Sequence, residues 1–273
     1  MMKDHFNLRL TRAVRRLLVL LSTSAQAGLR FLVRRVRGPI TTAQRAQWLH
    51  ESCRLALHRL GIEIVSDGPF PSSGLLVSNH LSYLDILVFS ALSPAIFVSK
   101  KEVSAWPLYG WLARLAGTVF VDRNRFADAY QANLRIASAL SQGSVVVLFP
   151  EGTSSDGTTV LPFRPALLEA AITSREPISS AHIRYAVEDG SVEKDICYWG
   201  TMSFVPHLFR LMSLREIRAQ VRFATGAQSF EDRKLAASAT RKLVLTLGDV
   251  LSSEQRSFLT VTEPSSQRMS INC

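Results

Sequence analysis

Short apolar runs alternate with longer segments of helical character through the middle of the chain. The runs lie at 62–65, 75–78, 96–98, 119–121 and 145–149. The run at 145–149 is continuous and rich in valine, as in strands that are buried on both faces of a parallel sheet. The segments at 83–92 and 127–141 predict helices. Strands alternating with helices predict an α/β domain, with a mixed, mostly parallel sheet flanked by helices.

The N-terminal region has a different pattern, in which arginines are interleaved with leucine, valine and phenylalanine. Residues 5–37 predict one or two basic amphipathic helices, which Gly38 and Pro39 interrupt. Thr41 and Gln44 have the spacing of a capping box and predict the start of another helix. We therefore divide the chain into membrane-associating helices (1–58), an α/β domain (59–251) and a polar, flexible tail (252–273).

The positive charge of the chain is concentrated in the N-terminal region. The first sixty residues contain twelve Lys and Arg against two acids, and the resulting +10 equals the net charge of all 273 residues. A basic segment attracts nucleic acid or anionic lipid. The apolar residues at 17–21 and 31–33 favour lipid, whereas Phe6 and Phe31 are the only aromatic residues between the charges near the N-terminus. We expect a bilayer with anionic lipids as partner, and no nucleic acid.

The length of the charge-free stretch indicates how this region meets the membrane. Residues 17–29 lie between arginines and include Ser, Thr and Gln, whereas a spanning helix needs about 20 apolar residues. This pattern favours an interfacial helix. A cleaved signal peptide ending near Ala27 is an alternative, which Arg34 and Arg35 directly downstream disfavour.

The three cysteines, Cys53, Cys197 and Cys273, are far apart and lack C-x-x-C spacing. They form neither a disulfide framework nor a zinc site. We expect isolated thiols in a reducing compartment and no bound metal.

A histidine and an aspartate follow the run at 75–78. Asn79 and His80 come directly after it, and Asp85 lies five residues beyond His80. The carboxyl end of a strand is where α/β sheets place their ligands, and an imidazole with a pKa of about 6.5 accepts a proton at neutral pH. If a helix begins just after Ser82, Asp85 falls in its first turn, where it can face His80 and fix the imidazole tautomer.

Asp85 also has a simpler interpretation as a helix cap. Ser82 and Asp85 fit the S-x-x-[DE] capping box, which would leave His80 as a hydrogen-bonded turn residue. For an isolated H-x-x-x-x-D pattern this interpretation would be favoured. Asn79 before the histidine and the motifs later in the chain favour the interpretation in which Asp85 orients His80.

Two further polar groups follow later runs. Arg123 comes after the run at 119–121 and offers a planar fork of donors suited to a phosphate, although Asp122 beside it could simply pair with it.

Glu151, Gly152 and Thr153 follow the run at 145–149, so they belong on the same sheet edge as His80 and Arg123. Gly152 permits an unusual backbone angle, and nearby amides and the Thr153 hydroxyl can bind phosphate oxygens. Because a carboxylate repels phosphate, we expect Glu151 to bind a substrate hydroxyl or to orient Arg123. A plain strand-to-turn connection is the alternative.

These motifs together resemble signatures of the glycerolphosphate and lysophospholipid acyltransferases. The segments 79–85, 117–123 and 149–153 are similar to that family's N-H-x-x-x-x-D, G-x-x-F-x-x-R and F-P-E-G-T blocks. Residues 163–166 resemble its F-K-x-G-A block, with Arg164 in place of Lys and with Pro165 and Ala166 in place of the last two residues. Residues 174–178 stand where the family has an apolar strand, but their Ser-rich continuation is less apolar than expected.

The resemblance implies a membrane-bound O-acyltransferase of the 1-acylglycerol-3-phosphate type. His80 would be the base and Asp85 would orient it. Asn79, Glu151, Gly152 and Thr153 would help to bind substrate, and Arg123 and Arg164 would hold a phosphate. An acyl-CoA or acyl carrier protein thioester would be co-substrate of a lysophospholipid acceptor, with no cofactor and no metal, at the cytoplasmic face of a bacterial inner membrane.

Three alternatives stay open at this point. The acceptor could be another lysolipid, such as a lyso-ornithine lipid. The chain could be a non-catalytic membrane-surface protein that keeps the fold, which the intact pair of His80 and Asp85 argues against. Binding of nucleic acid is favoured only by the sequence pI of about 10.1.

Overall fold

Seven strands and eight α-helices make up the part of the chain that the structure describes, a computed structural model covering residues 2–106, 108–122 and 126–261. The strands are β1 (Ile62–Asp67), β2 (Gly74–Ser78), β3 (Ile96–Lys100), β4 (Val119–Val121), β5 (Val145–Leu148), β6 (Ile178–Val187) and β7 (Ile217–Phe223). The helices are α1 (Met2–Val36), α2 (Thr42–Leu60), α3 (Leu84–Leu92), α4 (Tyr109–Leu115), α5 (Phe126–Ser141), α6 (Glu169–Thr173), α7 (Phe204–Ser213) and α8 (Arg233–Val261).

The strands form one sheet in the order β1-β7-β6-β2-β5-β3-β4. Every neighbouring pair is parallel except β6 and β7, which run antiparallel. The expected mixed, mostly parallel sheet is therefore confirmed. β2 lies between β5 and β6, so the loop that follows β2 emerges near the middle of the sheet edge.

Helices cover both faces of the sheet. The side chains of β2 point alternately to one face and to the other. Leu76 belongs to a core cluster that includes residues of α1, α2, α3 and α7. Leu75 and Val77 belong to a second cluster, which includes residues of α5, α6 and α8. All three side chains are fully buried, and each contributes about 1.5–3 kcal/mol to the stability of the fold.

The sequence pattern did not predict β6 as a strand, because its first half is polar. Ser179 and Ser180 are nevertheless buried beside β2. Short side chains fit there, and the backbone bonds of the ladder do not depend on apolar side chains. β7 was not expected either, although its residues alternate between buried and less buried positions.

The first two helices, which make up the expected membrane-associating segment over 1–58, are packed against the α/β layers, and the association of that segment with a membrane stays a prediction. α1 packs against α2 and α7, and α2 packs against α3. Trp48 of α2 lies edge-on to Phe31 of α1 and donates its indole N–H to the carbonyl of Ala27 at 2.9 Å. The predicted capping box at the start of α2 is present, with Thr41 and Gln44 bonded reciprocally.

Part of the positive charge of α1 binds the protein itself. Arg16 is 5 % exposed, and its guanidinium donates to the carbonyls of Leu214 and Arg215, at 2.6 and 3.2 Å. Arg12 donates to the carbonyl of Ser213 at 2.8 Å. The last carbonyls of a helix have no partner within it, so these arginines complete the C-terminal end of α7. Burial, with repulsion from neighbouring arginines, lowers the pKa of Arg16.

The C-terminal helix is longer than expected. α8 continues to Val261, so the first part of the expected polar tail, residues 252–261, is helical. The rest of the expected tail, residues 262–273, lies outside the described residues.

Candidate active site

The loops after β2 and β5 bring His80 and Glu151 together at the carboxyl edge of the sheet. β2 and β5 are parallel neighbours, so their C-terminal ends meet at that edge. The backbone N–H of His80 donates to Glu151 Oε1 at 2.7 Å. His80 and Glu151 therefore lie at one edge of the sheet, as their positions after two strands predict.

His80 and Asp85 form a hydrogen-bonded pair. His80 Nδ1 lies 2.7 Å from Asp85 Oδ2, and the Asp85 side chain is fully buried. A carboxylate can only accept, so Nδ1 carries the proton and Nε2 of the neutral ring is unprotonated. The imidazole is 19 % exposed and stacks on Phe149, with ring centroids 4.2 Å apart. Nε2 has no hydrogen-bond partner among the described residues and is suited to accept a proton from a bound molecule.

Asp85 also binds the backbone of its own loop. Its Oδ2 accepts from the amides of Leu81 and Ser82 at 2.7 and 3.0 Å. The reciprocal half of a capping box is missing, because the buried Ser82 hydroxyl has no hydrogen-bond partner among the described residues and Tyr83 is the N-cap of α3. The cap interpretation is thus half right, and the same oxygen that orders the loop also holds His80.

Asn79 is bonded to the protein backbone, and its predicted role in binding substrate stays a prediction. The residue is buried, and its amide group pairs with the backbone of Ile183 in β6. Asn79 Nδ2 donates to the carbonyl of Ile183 at 2.9 Å, while Oδ1 accepts from its N–H at 2.8 Å. Regular pairing of β2 with β6 ends at Ser78, so Asn79 continues the ladder by one step with its side chain.

Glu151 likewise binds backbone, and the expectation that it contacts a substrate hydroxyl stays a prediction. The residue is 2 % exposed. Its Oε1 accepts from His80 N–H, and Oε2 accepts from the N–H of Leu161 at 3.0 Å. Arg241 of α8 donates to the carbonyls of Val160 and Leu161, which holds that segment in place. Glu151 therefore positions the backbone that carries His80.

Burial also changes the titration of Glu151. Desolvation raises its pKa to about 7, although the two amide hydrogen bonds oppose the shift. A carboxyl group whose pKa is higher in the folded protein binds a proton on folding, so its contribution to stability is complete below about pH 4.5 and is lost as the pH rises through about 7.

Gly152 and Arg164 line a small cavity of about 120 Å³ next to the loop that follows β5. Gly152 has a φ of 78°, in the region that favours glycine. The Arg164 side chain is exposed, and its backbone N–H donates to the carbonyl of Pro150 at 2.8 Å. Val121, which ends β4, lines the same cavity. Arg123 lies outside the described residues, so its predicted role in binding phosphate stays a prediction.

Thr153 follows Gly152 in the loop after β5 and is half-buried. Its hydroxyl accepts a long hydrogen bond of 3.4 Å from Lys100 Nζ, at the end of β3. A lysine and a hydroxyl at one loop are compatible with the predicted anion site.

A second, apolar cavity of about 170 Å³ lies beside the histidine loop, and the sequence pattern had not located it. Its walls come from five helices, α1, α2, α3, α4 and α7, together with β3. Tyr83 and Leu84, which follow His80 in the chain, line one part of the cavity, while Trp48 and Cys53 of α2 line another. No single segment shows the cavity, because each helix contributes only one or two apolar turns.

We predict that Glu151→Gln destabilises the protein by about 1–3 kcal/mol at pH 5, because glutamine presents an N–H₂ group to one of the two amides. The difference from wild type should shrink between pH 5 and pH 8, because the wild-type carboxyl group loses its own contribution through its pKa of about 7. Urea unfolding of both proteins at several pH values measures this. Glu102→Gln, at an exposed glutamate, is the control, and a pH-independent loss for Glu151→Gln would contradict the prediction.

Comparisons with known proteins identify the family of this chain. A family model described as Acyltransferase matches residues 62–184. A lyso-ornithine lipid O-acyltransferase of Rhodobacter capsulatus is 36 % identical over 201 residues, which cover 70 % of this chain and 72 % of that protein. A 1-acyl-sn-glycerol-3-phosphate acyltransferase of Neisseria gonorrhoeae is 33 % identical over 178 residues, 65 % of this chain and 69 % of that protein.

A solved structure shares the fold. The 1-acyl-sn-glycerophosphate acyltransferase of Thermotoga maritima superimposes with a TM-score of 0.60 at 20 % identity, covering 87 % of this chain and 98 % of that one. With the matches in sequence, these findings show that the chain belongs to the glycerolphosphate acyltransferase family and is an O-acyltransferase.

Proposed function

We propose that the protein transfers a fatty acyl chain from a thioester to the free hydroxyl of a lysolipid, with His80 as general base. The observation that carries this proposal is the 2.7 Å hydrogen bond between His80 and Asp85 on a partly exposed imidazole. That bond leaves Nε2 as the acceptor for the proton of a bound hydroxyl.

The reaction then needs no covalent intermediate on the protein. The acceptor hydroxyl gives its proton to His80 Nε2, and its oxygen forms a bond with the thioester carbonyl carbon. The carbon–sulfur bond breaks, and the imidazolium returns the proton to the leaving thiolate. Asp85 stabilises the imidazolium while it exists, and the buried carboxylate keeps the ring in place.

The apolar cavity supports a long-chain acyl donor. Its walls are almost entirely hydrocarbon and aromatic, and Tyr83 connects it to the histidine loop. A chain lying in this cavity would place its thioester near His80. We propose acyl-CoA or acyl carrier protein as the source of the thioester, since both supply the same acyl group.

For the acceptor we propose 1-acyl-sn-glycerol 3-phosphate, which would yield phosphatidic acid. The support is the small cavity lined by Gly152 and the exposed Arg164, whose guanidinium could bind a phosphate. A lyso-ornithine lipid is the second candidate, favoured by the 36 % identity to the Rhodobacter capsulatus protein of that name.

We predict that His80→Gln lowers kcat for acyl transfer by about 1000-fold, because it removes the base while leaving the loop backbone unchanged. The assay uses detergent micelles, labelled oleoyl-CoA or an acyl carrier protein thioester, and lysophosphatidic acid or a lyso-ornithine lipid as acceptor. His58→Gln, at an exposed histidine of α2, should retain full activity. Equal rates for His80→Gln and wild type would exclude His80 as base, and no transfer by wild type with any donor would favour a non-catalytic membrane protein.

A second substitution distinguishes the two candidate acceptors. We predict that Arg164→Ala raises KM for lysophosphatidic acid by about 10- to 100-fold with little change in kcat, because one charge-assisted contact with phosphate is lost. Arg135→Ala, at an exposed arginine of α5, is the control. Product from the lyso-ornithine lipid alone, with a KM that does not respond to Arg164→Ala, would keep the mechanism and change the acceptor.

We also propose that α1 lies along the membrane surface at the cytoplasmic face. By length and composition α1 is the one helix, within the described ranges, that could cross a membrane, and 39 % of its apolar window is buried in the protein. However, Arg16, near the middle of α1, and Phe31, in its C-terminal part, are both held by the rest of the protein. The outward face forms an apolar stripe at helical spacing, made of Leu10, Val14, Leu18, Leu21, Leu29, Leu32 and Val36.

An interfacial helix has both ends on one side of the membrane, which gives a direct test. We predict that single cysteines introduced as Leu8→Cys or Val36→Cys, in a Cys273→Ser background, react with an impermeant maleimide in inverted inner-membrane vesicles and not in spheroplasts. The background without an introduced cysteine is the control, because Cys53 and Cys197 are buried. Labelling of the two positions from opposite sides would show that α1 spans the membrane.

A further inference from the structure

The hydrogen bonds of Asp85 include one from a distant strand that the mechanism above does not use. Oδ2 accepts hydrogen bonds from His80 Nδ1 and from two loop amides. Oδ1 accepts one from the hydroxyl of Tyr185 in β6, at 2.7 Å. Tyr185 is buried, one hundred residues from Asp85 in the chain. We propose that Tyr185 is a positioning residue for acyl transfer, which holds the Asp85 carboxylate and thereby sets the orientation and basicity of His80. This inference rests on the proposed role of His80 as base.

The strand places Tyr185 at this point for a structural reason. Asn79 pairs with Ile183 through both of its amide atoms, which fixes the position of β6 beside the histidine loop. Residues two apart in a strand point to the same face. Tyr185 is therefore directed to the side of the sheet where Ile183 packs, and both belong to the same core cluster. On its other edge β6 is held by β7, with Tyr185 opposite Ala219.

The chemistry of the contact determines the direction of its effect. A carboxylate cannot donate, so the Tyr185 hydroxyl must be the donor. Burial and the neighbouring Asp85 raise the pKa of Tyr185 well above its usual value of 10.0, so the phenol stays protonated over the working range of pH. A donor on Oδ1 draws negative charge away from Oδ2, which weakens the pull of the carboxylate on the imidazolium. Tyr185 therefore makes His80 less basic than Asp85 alone would.

Two other titratable groups act on Asp85 or its loop. Burial, with the charge of Asp85, raises the pKa of the Cys197 thiol to about 12, so that group stays neutral. Glu151, which binds the His80 backbone, has a pKa of about 7 and therefore titrates within the pH range of the activity assay. A pH profile of activity alone would mix the titration of Glu151 with any change at His80, so the protonation of His80 must also be followed directly.

The test compares Tyr185→Phe with wild type in two measurements. Activity across pH should show a kcat lower by about 10- to 100-fold, because the carboxylate is less well placed, with KM values within about twofold. The acid limb of kcat/KM should move up by about half a unit to one unit. NMR of ring-labelled histidine, with the His80 signal identified from His80→Gln, should show a pKa for His80 that is higher by the same amount.

Controls separate this proposal from a loss of stability and from a failure of the proposed function. Thr240→Val removes another fully buried hydroxyl, on α8, and should lower the melting temperature without moving the acid limb. Replacing Tyr185 with 3-fluorotyrosine, a stronger donor, should move the His80 pKa down, which tests the contact if Tyr185→Phe does not fold. An unchanged His80 pKa in both Tyr185 variants would overturn the proposal. Wild type without transferase activity would refute the proposed function, while the NMR comparison would still test the coupling of Tyr185 to His80.

Discussion

A carboxylate without exposed surface organises the carboxyl edge of this sheet. Removing the charge of Asp85 from water costs several kcal/mol unless donors replace the lost hydration. The replacements come from three places: the imidazole of His80, the amides of the loop after β2, and the phenol of β6. The loop, the first turn of α3 and β6 must therefore be correctly placed at the same time, since a shift in any one of them leaves a buried charge undersolvated.

Glu151 constrains the same loop from its other side. It binds the His80 amide and the segment at 160–161, which Arg241 in turn connects to α8. The side chains of Asp85 and Glu151 therefore hold different parts of His80. Asp85 acts on the ring and can affect chemistry directly, whereas Glu151 acts on the backbone and fixes the place from which the ring extends.

The sequence was informative where the signal is local. The apolar strands, the capping box of α2 and the H-x-x-x-x-D spacing each lie within a few residues, and the structure contains all three. Residue type does not identify partners that are distant in the chain. Asn79 binds the backbone of Ile183, 104 residues away, and Glu151 binds the backbone of His80, 71 residues away. Tyr185 belongs to no sequence motif, and the apolar cavity is built by five helices together. Neither feature could therefore be found from a local pattern in the sequence.

The arginines of α1 that bind the end of α7 have a consequence for how this enzyme can be handled. Leu20, Thr23 and Ala27 of α1 form part of the wall of the apolar cavity, and Leu208 and Met212 of α7 form another part. Shortening the chain at its N-terminus to improve solubility would therefore keep the histidine and its aspartate but open the cavity to water. Such a truncated protein would fail as a reporter of catalysis, since α1 supplies one wall of the apolar cavity.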